Sequence, residues 1–309
     1  MRVVFLGSGA FAIPSFEALI DAGHEVAALV TQPDRQRGRG RIVGPPPLKL
    51  AAEARGVPVL QPRRIKDPEA QAALRELAPE VQVVAAYGQI LPRSVIDIPP
   101  RGTVNVHASL LPRYRGAAPV QWAIVRGESE TGVTTMLIDQ GLDTGPILLS
   151  RATPIGDEET AAELEARLAR LGADLLLETL EALAAGTITP VSQDHARATL
   201  GPLLKKEDGL IAWSLPAEDI ARRVRGFHPW PGATAAFGGA PGKVLRARSV
   251  EGGPGEPGSV VAVDREGIVV ACANGTRLRL LEVQPESRRA MPAAAFAAGA
   301  RLKPGSRFG

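Results

Sequence analysis

The chain has 309 residues, 45% of them hydrophobic and 22% charged, a length that suits two domains and a composition that excludes a disordered polymer. No run reaches the roughly 20 apolar residues of a membrane span; a single cysteine, Cys272, excludes an internal disulfide and, with only 4 histidines, argues against a Cys/His zinc cage. The net charge of +3 hides an asymmetry, since residues 209–309 hold 14 Lys or Arg against 8 Asp or Glu while residues 1–208 hold 22 against 25, so a polyanion is the expected partner of the C-terminal part.

The first residues, MRVVFLGSGA, begin as a strand (2–7) and lack the basic region, apolar core and cleavage site of a signal peptide, so a cytoplasmic location is expected. A helix is predicted over 14–22, with Pro14 in its first turn. Strand 24–31, helix 48–56 closed by Gly56, a short strand in VPVLQP and helix 68–79 follow. VQVVAAYG (81–88) is the continuous apolar run of a buried parallel strand. Strand 102–109, a helix around 117–127 and strand 131–139 extend the alternation. It predicts an α/β fold, a Rossmann-like, doubly wound, mainly parallel sheet. Residues 156–186 read as one long amphipathic helix with Thr160 and Glu163 at capping-box spacing. Residues 187–208 have no clear period. Beyond them KVLRARSV, GSVVAV, GIVVACA and RLRLLEV are short β-runs punctuated by Gly, Pro and Asn-Gly, which predicts a small C-terminal β-barrel of OB-like type. The expected organisation is a catalytic domain over 1–189, a connector over 190–208 and the barrel over 209–309.

Gly7-Ser8-Gly9-Ala10-Phe11-Ala12 matches a dinucleotide-binding fingerprint, with a strand before it and a helix after. The second strand ends in Thr31-Gln32-Pro33-Asp34 instead of a lone acid, and the glycines serve a tight strand-to-helix turn equally well. DRQRGRGRIVGPPPLK (34–49) carries Arg35, Arg37, Arg39, Arg41 and Lys49. Its three glycines and three prolines predict a stretch without regular structure. Guanidinium groups there suit phosphate contact, and a solvated loop is the alternative. Its place after the second strand is the carboxyl edge of the sheet, where α/β ligands bind.

Asn105 and His107 lie two apart on one strand, so both side chains share a face. Two polar groups on an apolar strand cost stability unless they are paired or used. Gly141-Leu142-Asp143-Thr144-Gly145 follows the next strand, and an acid in so tight a turn can orient or charge His107 and move protons. Asn105, His107 and Asp143 form the candidate catalytic trio. No Ser or Cys sits in a nucleophile-elbow pattern, which favours direct transfer between two bound substrates over a covalent acyl-enzyme.

NVHASLLPRYRGAAP (105–119) followed by GLDTGPIL (141–148) resembles the folate-dependent formyltransferases, which move a formyl group from 10-formyltetrahydrofolate to an amine. The resemblance covers nearly the whole chain. It implies 10-formyltetrahydrofolate as co-substrate, with no metal and no NAD(P). TQPDRQRGRG with PPPLK, AYGQILP, LLKKEDGLIAWS and RVRGFHPWPGA are similar to the members that act on initiator methionyl-tRNA. In them the 34–49 loop enters the acceptor end of the tRNA. The sequence departs from that pattern at Leu200, where a tyrosine is expected, at Ala212, where an aspartate often precedes the tryptophan, and at Ala108 in place of glycine.

The resemblance further implies that Asn105 and His107 donate hydrogen bonds to the oxyanion of a tetrahedral intermediate, and that Asp143 relays a proton. Folate would meet Ser109, Leu110, Leu111 and Pro112, with its pterin against Ile90, Leu91 and the loop that holds Asp139 and Gly141. Arg35, Arg37, Arg39, Arg41, Lys49 and Lys206 would contact tRNA. A monomer with no membrane contact is expected. A formyltransferase acting on a nucleotide-linked amino sugar is the alternative; it would ignore tRNA at any salt concentration.

Overall fold

Val3, Val4, Phe5 and Leu6 have no solvent exposure, which marks β1 (Arg2–Gly7) as a strand covered on both faces. The computed structural model describes residues 1–37 and 42–308. In chain order α1 (Ile13–Asp21), β2 (Glu25–Val30), β3 (Arg35–Arg37), β4 (Ile42–Gly44), α2 (Pro47–Ala54), β5 (Val59–Leu60), α3 (Pro68–Glu76), β6 (Val81–Ala85), α4 (Arg93–Ile96) and β7 (Thr103–His107) follow. Next come α5 (Pro119–Val125), β8 (Glu130–Leu137), β9 (Ile147–Pro154) and α6 (Ala161–Ala185). Strands in the order β5-β2-β1-β6-β7-β8-β9 form one seven-stranded sheet. The first five run parallel, while β7 with β8 and β8 with β9 pair antiparallel. This is the expected Rossmann-like, mainly parallel sheet.

Residues 1–116, 130–154 and 165–200 make one compact unit, and residues 117–129, 155–164 and 201–309 a second. Within the first, a Cβ on Gly7 would stand 2.8 Å from the Ala85 carbonyl oxygen. Close approach of β1 to β6 therefore demands that glycine. Gly172 of α6 plays the same part against Val106 and Val133, whose methyl carbons would lie 2.9 and 3.3 Å from a Cβ there. The helix thus covers the Val106 face of β7, and the pleat turns Asn105 and His107 to the other face.

Two expectations are corrected, and one strand is added. The long helix begins at Ala161 and not at 156. Thr160 is its cap: its N–H donates to Glu163 Oε2 (2.9 Å) and its hydroxyl oxygen accepts from the Glu163 N–H (3.4 Å), the capping box read from the sequence. Residues 34–49 are not irregular throughout. β3 and β4 pair as a short antiparallel hairpin, Arg35 opposite Gly44 and Arg37 opposite Ile42. The three prolines lie beyond the last pair and Pro47 opens α2, so none interrupts the ladder. β9 had no sequence prediction, because its burial alternates as an edge strand does and its mixed ILLSRATP carries no apolar run.

The second unit holds α7 (Ala217–Gly226), β10 (Ala233–Phe237), β11 (Ala240–Val250), β12 (Val260–Asp264), β13 (Gly267–Ala271), β14 (Arg277–Pro285), β15 (Met291–Pro292) and α8 (Ala293–Ala300). β10-β11-β14-β13-β12 form an antiparallel sheet, with β15 added to β14. The terminal segment joins both edges: Phe308 bridges Phe237 of β10 and Arg307 bridges Ser259 just before β12. The Phe308 N–H donates to the Gly258 carbonyl and the Val260 N–H to that of Ser306, each at 2.8 Å. That closure satisfies edge groups and gives the barrel. Neither α7 nor α8 was predicted. Ala217, Ile220, Ala221 and Val224 form the buried stripe of α7, a helical period hidden in sequence by the arginines around it.

Phe308 is buried, with ring centroids 5.0 Å from Phe237 and 6.2 Å from Trp213. Phe308→Ala is expected to cost about 3–5 kcal/mol, read as a lower urea midpoint at unchanged slope. An unaltered midpoint would show that the tail does not hold the barrel. Among the described residues no helix is long and apolar enough to cross a membrane.

Candidate active site

The carboxyl end of β7 carries Asn105 and His107. His107 Nε2 lies 3.0 Å from the Tyr114 carbonyl oxygen. A carbonyl can only accept, so Nε2 bears the hydrogen and donates. In a neutral ring Nδ1 is then a lone-pair acceptor, and in the cation it is a donor. Nδ1 faces Asp143 Oδ2 at 3.8 Å, with side chains 8% and 15% exposed. That gap is wider than a hydrogen bond and places the pair in electrostatic range with room for a reacting atom to engage either partner. Among the described residues none hydrogen-bonds the partly buried Asn105 amide, leaving its donors available on the same face.

Asp143 sits at φ +51°, a left-handed conformation that favours glycine. Its Oδ2 accepts from the Gly116 N–H at 2.7 Å. The turn is also closed from within: Asp139 Oδ1 accepts from the Gly141 N–H (2.9 Å) and the Thr144 hydroxyl (2.6 Å). Although β8 ends at Leu137 beside Val104, the 138–146 turn folds back far enough to bring Asp143 to His107.

Ser109 to Pro112 follow β7 directly. The Thr134 hydroxyl donates to the Ser109 carbonyl (2.7 Å) and accepts from the Leu111 N–H (3.1 Å), tying this segment to β8. The Ser109 hydroxyl donates to the Arg113 carbonyl at 2.6 Å, and the Leu111–Pro112 bond is cis. Leu110 is half-buried and Leu111 buried. Ile90 is 93% exposed, whereas Leu91 is buried in a core cluster with Val84, Tyr87, Val95 and Ile96. These two neighbours therefore present different surroundings to any ligand.

At the first turn the Ser8 hydroxyl oxygen accepts from the Gln32 N–H (3.0 Å), and Gln32 Nε2 donates to the Tyr87 carbonyl (3.1 Å). Lys49 Nζ reaches Asp34 at 3.1 Å and Gln61 Oε1 at 2.9 Å, so it anchors the foot of the β3–β4 hairpin. Arg35 and Arg37 lie on β3, and Arg39 and Arg41 lie outside the described residues. Lys206 is exposed at the start of a short turn over 206–209, in the second unit. Among the described residues no group of three or more His, Cys, Asp or Glu is arranged to hold a metal ion.

Sequence reasoning missed four supports of this site: Tyr114, Gly116, Thr134 and Gln193. Three act through backbone groups or a single hydroxyl, which leave no residue pattern. Gln193 stands in a stretch without periodicity.

Residues 1–180 match the family model described as formyl transferase, and residues 203–301 match that of the formyl transferase C-terminal domain. The chain belongs to the formyl transferase family. It is an enzyme of formyl transfer. Relatives named methionyl-tRNA formyltransferase share 54% identity in Solibacter usitatus, across all of this chain and 99% of the relative, and 49% in Geobacter sulfurreducens, across all of this chain and 97% of the relative. Among solved structures, an N-formyltransferase from Helicobacter canadensis in complex with folinic acid and dTDP-3-aminofucose matches with a TM-score of 0.69 at 17% identity, over 92% of this chain and 99% of that one. HypX from Aquifex aeolicus in complex with tetrahydrofolic acid matches with a TM-score of 0.65 at 19% identity, over 96% of this chain and 47% of that one. Identities this low establish the shared fold.

Proposed function

We propose that this formyl transferase moves the formyl group of 10-formyltetrahydrofolate to the α-amino group of initiator methionyl-tRNA. The observation that carries the reading is the His107–Asp143 pair, 3.8 Å apart, at the end of the strand that bears Asn105. The name borne by relatives about half identical over the full length supports the tRNA substrate.

The amine nitrogen attacks the formyl carbon, a C–N bond forms, and the carbonyl electrons move onto oxygen. Asn105 donates to that oxyanion, as does His107 Nδ1 when the ring is cationic; such a donor is worth roughly 10²–10³ in rate. The amine proton then leaves toward Asp143, directly or through water, and reaches folate N10 as its bond to carbon breaks. Tyr114 and Gly116 hold His107 and Asp143 by backbone groups, so orientation is set before the substrates meet.

We assign the chemistry to residues 1–189 and tRNA contact to the barrel over 209–309, with 190–208 between them. Folate would lie against Ser109, Leu110, Leu111, Pro112, Ile90, Leu91, Asp139 and Gly141. The 34–49 segment, with Arg35, Arg37, Arg39, Arg41 and Lys49, would select an acceptor end that opens easily. Lys206 would contact phosphate, and affinity would fall steeply with salt.

The decisive assay supplies 10-formyltetrahydrofolate with charged initiator or charged elongator methionyl-tRNA. Tetrahydrofolate release with the initiator alone is the expected result. Equal transfer to both would sink the selectivity assigned to the 34–49 segment, and transfer to neither would sink the tRNA substrate.

A further inference from the structure

Gln193 is buried, 6% exposed, and every polar atom of its side chain is used. Nε2 donates to the Asp143 carbonyl at 2.9 Å and to the Gly145 carbonyl at 2.7 Å. Oε1 accepts from Arg115 Nε at 3.1 Å and Nη2 at 2.6 Å. Arg115 is itself 6% exposed, and its Nη2 also meets His195 Nδ1 at 3.1 Å. No carboxylate pairs with it among the described residues. A buried guanidinium bonded to a glutamine oxygen fixes which way the amide faces, so both N–H groups must point at the 143–145 backbone.

The placement matters because Asp143 is held at φ +51°. A left-handed backbone is unfavourable for a non-glycine residue, and the turn relaxes unless something outside it opposes that. Its two external braces come from adjacent residues: Gly116 N–H holds the carboxylate, and Arg115, through Gln193, holds the backbone. The preceding residue, Tyr114, fixes His107. The 114–116 segment is pinned in turn by Thr199, whose hydroxyl accepts from the Tyr114 N–H and whose carbonyl accepts from the Arg115 N–H, each at 2.9 Å. Residues read from sequence as a featureless connector therefore set the spacing of the catalytic pair.

We propose that Gln193 is a positioning residue for Asp143, holding the turn in the conformation that keeps the carboxylate beside His107. The proposal rests on the formyl-transfer mechanism above, in which that spacing governs the rate. Gln193→Glu keeps the side-chain length and an acceptor for Arg115 while deleting both N–H donors. Its kcat is expected to fall roughly 10–100-fold, with KM for both substrates unchanged and a lower thermal midpoint, because the buried 143 and 145 carbonyls lose their donors. In an Asp143→Ala background the same substitution should cost nothing further, because an effect carried through Asp143 disappears with it. Equal losses in both backgrounds, or wild-type kcat in the single variant, overturn the proposal.

Should Gln193→Glu fail to fold, the double variant Gln193→Met, Arg115→Met removes the buried cation along with its acceptor and carries the same expectations. A crystal structure of the variant supplies a readout independent of turnover. Asp143 Oδ2 leaving the Gly116 N–H and its place beside His107 is the expected result, and unchanged geometry overturns the proposal. An inactive wild-type protein would count against the proposed function alone, since the crystallographic comparison still decides the role of Gln193.

Discussion

Asp143→Asn is expected to lower kcat by about 10²–10⁴-fold, the range of general acid–base catalysis, in a protein that stays folded. Asparagine has nearly the same volume, and its Oδ1 can still accept from the Gly116 N–H that Oδ2 now binds at 2.7 Å. What it lacks is the negative charge 3.8 Å from His107 Nδ1 and a site for the amine proton. The geometry therefore survives while the electrostatics and the proton path do not. Because Nε2 already donates to the Tyr114 carbonyl, Nδ1 can donate to an oxyanion only from the cation. Single-turnover kinetics with initiator methionyl-tRNA, alongside thermal unfolding, test the expectation. Activity near wild type at an unchanged midpoint would mean that Asp143 only shapes the turn.

Gly145→Ala should damage stability and rate together. A Cβ at this position would stand 1.8 Å from the Leu137 carbonyl oxygen and 2.9 Å from its carbon. Neither partner can yield cheaply, because Leu137 closes β8 and its N–H donates to the Pro146 carbonyl at 3.0 Å. The turn must shift instead, taking with it the Gly145 carbonyl held by Gln193 and Asp143 two residues before. Overpacking of this kind costs about 1–3 kcal/mol, and a displacement of about 1 Å at a reacting group costs on the order of 10² in rate. Differential scanning calorimetry and kcat, measured on one preparation, test both halves. A normal midpoint with normal kcat would show that the turn accommodates a methyl group.

The candidate trio stood out in the sequence because its residue types are costly where they stand. Asn105 and His107 interrupt an apolar strand at spacing two, and Asp143 lies between glycines, one of which the turn demands on steric grounds. The parallel strands were legible from continuous apolar runs such as 81–85, buried at every position. Edge strand β9 and helices α7 and α8 were not, because their apolar residues are sparse or embedded among arginines and alanines. The β3–β4 hairpin escaped for a different reason. Glycine and proline mark breaks in regular structure, but they do not say on which side of the break pairing resumes, and here the prolines fall after the last pair.

By itself the sequence determined the two-part organisation, the β7 strand with its polar pair, the acid in a glycine turn and the family to which those motifs point. These follow from local chemistry: periodicity, backbone freedom and the cost of burying polar groups. Tertiary structure alone decided which imidazole nitrogen is committed, how far Asp143 stands from His107, and that Gln193 and Thr199, some 80 residues after the 114–116 segment in the chain, brace the pair. Such contacts depend on carbonyls and amides that every residue possesses, so only the fold can select which of them meet.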